Sequence, residues 1–202
     1  MAGILPSYGN IGILAAALYP IFIVAFLFVA SIFNQTFLKG VLYLCGIMIT
    51  FIFCYLIALL PIGNTRDVSL PCDFISTLGY NYKSPSFQAA TTWFTFTYLL
   101  IPMLQNITLF NPVVIGITSI FSIINMIYLY SRGCSSGLGL AFGAIIGILL
   151  GTTWFAMIWS TNKDLLFYNE LVSNNVVCNK PSKQTFKCHV YKNGELIGEN
   201  VV

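Results

Sequence analysis

The chain has 202 residues, of which 7% are charged and 57% apolar, with a formal net charge of +3. That balance argues against a soluble globular domain, and the basic residues are too scattered to form a nucleic-acid-binding stripe. Charge-free stretches cover 1–38, 40–65, 84–131 and 133–162, each long enough for the roughly 20 apolar helical residues that a bilayer core requires.

In chain order, spans are predicted near 11–33, 40–61, 87–104, 113–130 and 137–160. The fold class is therefore an all-α transmembrane helix bundle of about five spans, with a small C-terminal β-hairpin appendage. The membrane domain is 1–160 and the soluble tail 161–202. The first span is full length and Lys39 is the first charge, so the N-terminal segment lacks the pattern of a cleaved signal and is expected to stay. Asn34-Gln35-Thr36 and Asn106-Ile107-Thr108 match the glycosylation pattern but lie close to the membrane, on the face assigned below to the cytosol. Neither is expected to carry glycan.

The second span contains Cys45 and Cys54, and the loop after it carries Arg66, Cys72 and Lys83. The third opens with Lys83-Ser84-Pro85-Ser86-Phe87-Gln88-Ala89-Ala90, and Gln88, Thr91, Thr92 and Thr95 then form a polar stripe on one helical face. Such a stripe faces protein rather than lipid, as interhelical hydrogen bonding or as part of a site. The fourth span ends at Tyr130-Ser131-Arg132, with Cys134 just beyond. The fifth carries Gly139, Gly143, Gly147 and Gly151 at four-residue spacing, a small-residue ridge for close packing inside the bundle or between two copies.

In the tail, alternation over 185–192, Asn193-Gly194 and a return strand predict a hairpin over 185–198. A lone hairpin is marginal, so this one is expected to dock on the bundle, a partner or a second copy. No cysteine spacing suits a metal, and no cofactor is expected. Cys72 with Cys134, and Cys178 with Cys188, are candidate disulfides, but free thiols are the default expectation for both pairs.

Five spans place the N-terminus and the 62–86 and 131–136 loops on one face with Arg66, Lys83 and Arg132. Lys39, Lys163, Lys180, Lys183, Lys187 and Lys192 fall on the other, which the positive-inside rule makes cytosolic, tail included.

Pro85-Ser86-Phe87-Gln88-Ala89 resembles the Pro-Ser-Gly-His-Ala signature of the type 2 phosphatidic acid phosphatase superfamily. Tyr130-Ser131-Arg132, leading into a helix with Gly143-Ala144-Ile145-Ile146-Gly147, resembles that family's third motif, and Arg66 sits where its first basic motif would lie. The likeness covers roughly residues 38–155. It implies a mechanism in which one histidine attacks phosphorus, a second protonates the leaving group and basic residues hold the phosphate. Here the second-motif histidine is replaced by Gln88, and the nucleophile and its carboxylate partner fall on Leu138 and Phe142, or on Ser135 and Gly139 if the glycines are aligned. Neither an amide nor an alkyl group can relay a proton near neutrality. The sole histidine, His189, falls on the other face.

The remaining phosphate-compatible groups are Arg66, Lys83, Ser86, Ser131 and Arg132, which suit a phospholipid headgroup. The tail stretch 173–188 resembles tails of membrane proteins of large nucleocytoplasmic DNA viruses. The expectation is a catalytically inactive phosphatase-like protein with a structural role in a virion internal membrane or host endomembrane. Membrane lipids and a capsid or core protein reached by the tail are its expected partners; the sequence leaves the oligomeric state open. The alternative is an active lipid phosphatase, on phosphatidic acid or isoprenyl diphosphate, that uses non-standard residues. A transporter is disfavoured because no ionisable residue lies inside a predicted span.

Overall fold

The computed structural model describes residues 8–60, 84–105, 110–166, 187–192 and 195–201. Five helices make the body: α1 (Tyr8–Phe33), α2 (Phe37–Ala58), α3 (Phe87–Gln105), α4 (Pro112–Ser131) and α5 (Gly137–Thr161). A short 3-10 turn, Lys163–Leu165, follows α5. The helices coincide with the five predicted segments to within three residues at each end.

Local chemistry accounts for these boundaries. Asn111 accepts from the amides of Val113 and Val114 at 3.1 and 3.3 Å, and Pro112 occupies the first helical position of α4, where a missing N–H costs nothing. Gly133, with φ of 68°, stops α4: the Cys134 amide reaches back to the Leu129 carbonyl and that of Gly133 to Tyr130, both at 3.0 Å. This double bond pattern is the glycine-terminated helix end that only a residue tolerant of positive φ forms without strain. Ser136 then starts α5 by accepting from the Gly139 amide at 3.0 Å.

Among the described residues, three helices are long and apolar enough to cross a membrane: Phe37–Ala58, Pro112–Ser131 and Gly137–Thr161. Their outward faces carry large apolar side chains open to the surroundings, among them Met48, Ile52 and Leu56 on α2, Ile117, Ile120 and Ile127 on α4, and Leu138, Phe142, Ile145 and Leu149 on α5. A water-facing protein rarely exposes apolar patches of this extent, whereas hydrocarbon solvates them at no cost. The chain is a helical membrane protein in composition, helix length and surface.

α3 is the least apolar of the large helices and the central one, packed against all four others. The two properties belong together, since neighbouring helices shield its polar face from lipid. Gln88, Thr91, Thr92 and Thr95 are all buried. The Thr92 hydroxyl donates to the Gln88 carbonyl at 2.7 Å and that of Thr95 to the Thr91 carbonyl at 2.9 Å. With its proton so used, Thr95 accepts from the Tyr43 hydroxyl of α2 at 2.7 Å. Phe94 and Tyr98 stack at 6.0 Å, and Leu27, Tyr43, Ile47, Phe155, Ile158 and Leu166 close the core around them.

The glycine ridge of α5 lies against α3. Gly143 faces the Ser86 carbonyl and the Ala89 side chain, Gly147 the backbone of Ala90 and Phe94, and Gly151 the backbone of Phe94 with the Thr97 side chain. A Cβ on Gly151 would lie 2.9 Å from the Phe94 carbonyl oxygen, below any ordinary contact, so only glycine permits this backbone-to-backbone approach. At the end of the seam the Ser86 amide donates directly to the Gly139 carbonyl at 2.9 Å. Of the two uses open to the ridge, packing inside the bundle occupies it.

Candidate functional site

Of the residues singled out in the sequence, Ser86 lies where α3 begins and Ser131 and Arg132 where α4 ends. The turn 84–86 is buried at all three positions, pinned by the Ser86–Gly139 backbone bond. The Ser86 hydroxyl caps α3, accepting from the Ala89 amide at 3.4 Å. Ser131 donates its hydroxyl to the Tyr128 carbonyl of its own helix at 3.0 Å. Arg132 follows as the C-terminal cap of α4 and is exposed. Ser86 and Arg132 thus flank one hydrophobic cluster, Ala89, Tyr128, Leu129, Cys134 and Leu140, at one end of the bundle. Arg66 and Lys83 lie outside the described residues.

Gln88 occupies the first turn of α3 at 9% exposure, and its side-chain oxygen has no hydrogen-bond partner among the described residues. The Thr91 hydroxyl, one turn on, has none either. An amide here can accept or donate a hydrogen bond but cannot carry a proton between groups. The two registers for the missing nucleophile end differently. Leu138 and Phe142 are exposed on the outer face of α5, pointing away from α3. Ser135 is buried, its hydroxyl within 3.5 Å of the Ser136 carbonyl, and Gly139 is sealed in the seam. Neither register sets an imidazole or a carboxylate beside Ser86. Among the described residues no group of three or more His, Cys, Asp or Glu side chains could hold a metal ion.

Cys134 is disulfide-bonded, while Cys45 and Cys54 are free. Cys72 and Cys178, and the side chain of Cys188, lie outside what is described.

At the opposite end, Lys163 sits over the Trp159 ring at 4.4 Å, and Asn162 caps the turn by accepting from the Asp164 amide at 2.9 Å. Leu166 folds back into the main core, fully buried, and Lys39 at the start of α2 is buried as well.

Two features of the interior escaped the sequence reading. Thr118, Ser122 and Asn125 put a second buried polar row on α4, at the same helical spacing that marked α3. Thr118 and Ser122 spend their hydroxyl protons on carbonyls of their own helix, and the Tyr19 hydroxyl of α1 reaches the Thr118 carbonyl at 3.4 Å. The second is Gly46, whose bare backbone admits the Trp154 ring so that its indole N–H reaches the Leu42 carbonyl at 3.1 Å. A glycine in an apolar helix was the available signal.

Compared with protein-family models, curated proteins and solved structures, the chain has no match. The site is therefore interpreted from its own residues.

Proposed function

We propose that the chain is a catalytically inactive, phosphatase-like membrane protein that serves as a structural component of a viral or assembly membrane. All five helices span the bilayer, and the tail lies in the cytosol. The observation that carries this reading is Gln88: where the resembled family places a proton-donating imidazole, this chain places a buried amide whose oxygen has no partner among the described residues.

Headgroup binding remains within the chemistry of this end of the bundle. Ser86 and Ser131 have hydroxyls engaged with backbone, so the exposed Arg132 guanidinium, with Arg66 and Lys83, is the stronger candidate to grip a phosphate. The tail is the proposed docking element for a capsid or core protein. What supports a hairpin there is the antiparallel pairing of Lys187–Lys192 with Glu195–Val201 across Asn193-Gly194, Lys192 opposite Glu195. Two experiments test the parts separately. Native mass spectrometry should show weaker retention of anionic phospholipid by Arg132→Ala than by wild type, and equal retention contradicts headgroup binding. Lysine cross-linking in assembled particles should join Lys183 or Lys187 to a capsid or core protein; cross-links confined to the chain itself contradict the docking role.

A further inference from the structure

We propose that the tail hairpin is a pH-responsive element, tightened when the chain's sole histidine, His189, is protonated opposite Glu199. The inference rests on the docking role proposed for the tail and adds a regulation to it.

The backbone register brings the two residues together. Strand β1 (Lys187–Lys192) pairs antiparallel with β2 (Glu195–Val201), setting Lys187 opposite Val201, Cys188 opposite Asn200, His189 opposite Glu199 and Val190 opposite Gly198. The register shifts only after Val190, so His189 and Glu199 stand in the regular part of the ladder. Residues directly opposite one another have Cβ atoms about 4.5–5.5 Å apart, close enough for charges to be felt. Strand alternation puts Lys187 and Tyr191 on the same face as His189. Lys187 lies two residues along the strand, about 6.6 Å at the strand rise, so the carboxylate across the ladder is the nearer charge. Lys192 and Glu195, also opposed, fall on the other face. Among the described residues the two strands pair with each other and pack on no helix.

Histidine is the side chain whose charge ordinarily changes between about pH 5 and 8. In an unpaired tail His189 and Glu199 titrate independently, whereas in the hairpin each charged form favours the other. The paired state therefore holds the His189 proton more tightly than the open one. The resulting stability is fully present below about pH 6.5, the ordinary histidine value, and is lost as pH rises above it. It is lost again in acid, where the carboxylate protonates. A two-stranded hairpin is marginal, so one cross-strand pair is enough to change how much of it is formed. Docking through the hairpin then strengthens as pH falls from about 8 to about 6.

The test is nuclear magnetic resonance on the full chain in lipid nanodiscs, with backbone chemical shifts of 187–201 reporting strand content. A cross-strand pair of this kind should raise the ratio of formed to open hairpin about 1.5- to 5-fold between about pH 8 and about pH 6. Glu199→Gln should abolish that rise and lower the midpoint of the single imidazole titration. Glu195→Gln, which removes an acid from the other face, should keep both. Coil shifts at either pH would overturn the hairpin, and with it the docking role and this proposal. Strand shifts that do not respond to pH, or a response that survives in Glu199→Gln, would leave the hairpin standing and overturn the proposal alone.

Discussion

At the scale of single residues, Gln88 is the most informative position. An acceptor left without a partner in a buried site costs about 1–3 kcal/mol, and the Gln88 side-chain oxygen is such an acceptor. Gln88→Leu removes it at similar length, so the variant should melt at the wild-type temperature or above in a detergent thermal-shift assay; a fall of several degrees would show that the amide makes a stabilising contact. The Tyr43–Thr95 bond gives the opposite sign. Polar contacts between membrane helices are worth roughly 0.5–2 kcal/mol, so Tyr43→Phe should lose an amount in that range, and Tyr43→Phe with Thr95→Val should lose less than the sum of the single changes. The polar stripe of α3 could be found in the sequence because its spacing follows the helical period. What its atoms bond to could not, since Thr92 and Thr95 turn inward to backbone while Gln88 and Thr91 find nothing.

At the scale of elements, the α3–α5 seam holds the bundle together. Three successive glycines admit α3 backbone where any side chain would collide. Replacing Gly147 with valine forces the helices apart along the middle of that seam; overpacking of this kind typically costs 1–3 kcal/mol. The same substitution at Gly116, which meets nothing within 4 Å, should change the melting temperature little. Equal melting of the two variants would contradict the packing described. The four-residue glycine spacing made the ridge visible in the sequence, but a ridge suits a neighbouring helix and a second copy equally well. Only the position of α3 decides between them. The helices themselves were legible from their charge-free apolar runs; Pro112 after Asn111 and Gly133 after Arg132, which mark the two ends of α4 by local chemistry, went unread. Of the residues singled out for phosphate, Ser86, Ser131 and Arg132 are the described ones, and the sequence placed these three at one end only through the order of the spans. That Ser86 is consumed as a helix cap depends on how the chain enters α3, which composition does not encode.

At the scale of the whole molecule, the apolar exterior of α2, α4 and α5 determines where the protein can reside. It should remain with the membrane pellet after alkaline carbonate extraction; release into the supernatant would contradict integral insertion. The proposed role rests on the resemblance around Ser86 and on Gln88, a buried amide that stands where the resembled family has an imidazole. Phosphate release from phosphatidic acid, measured with the purified full-length protein in lipid nanodiscs, tests that directly. The account predicts no release above a heat-inactivated control, for wild type and for Gln88→His alike, because one restored imidazole still lacks its nucleophile. Release by wild type that is lost in Arg132→Ala would contradict it.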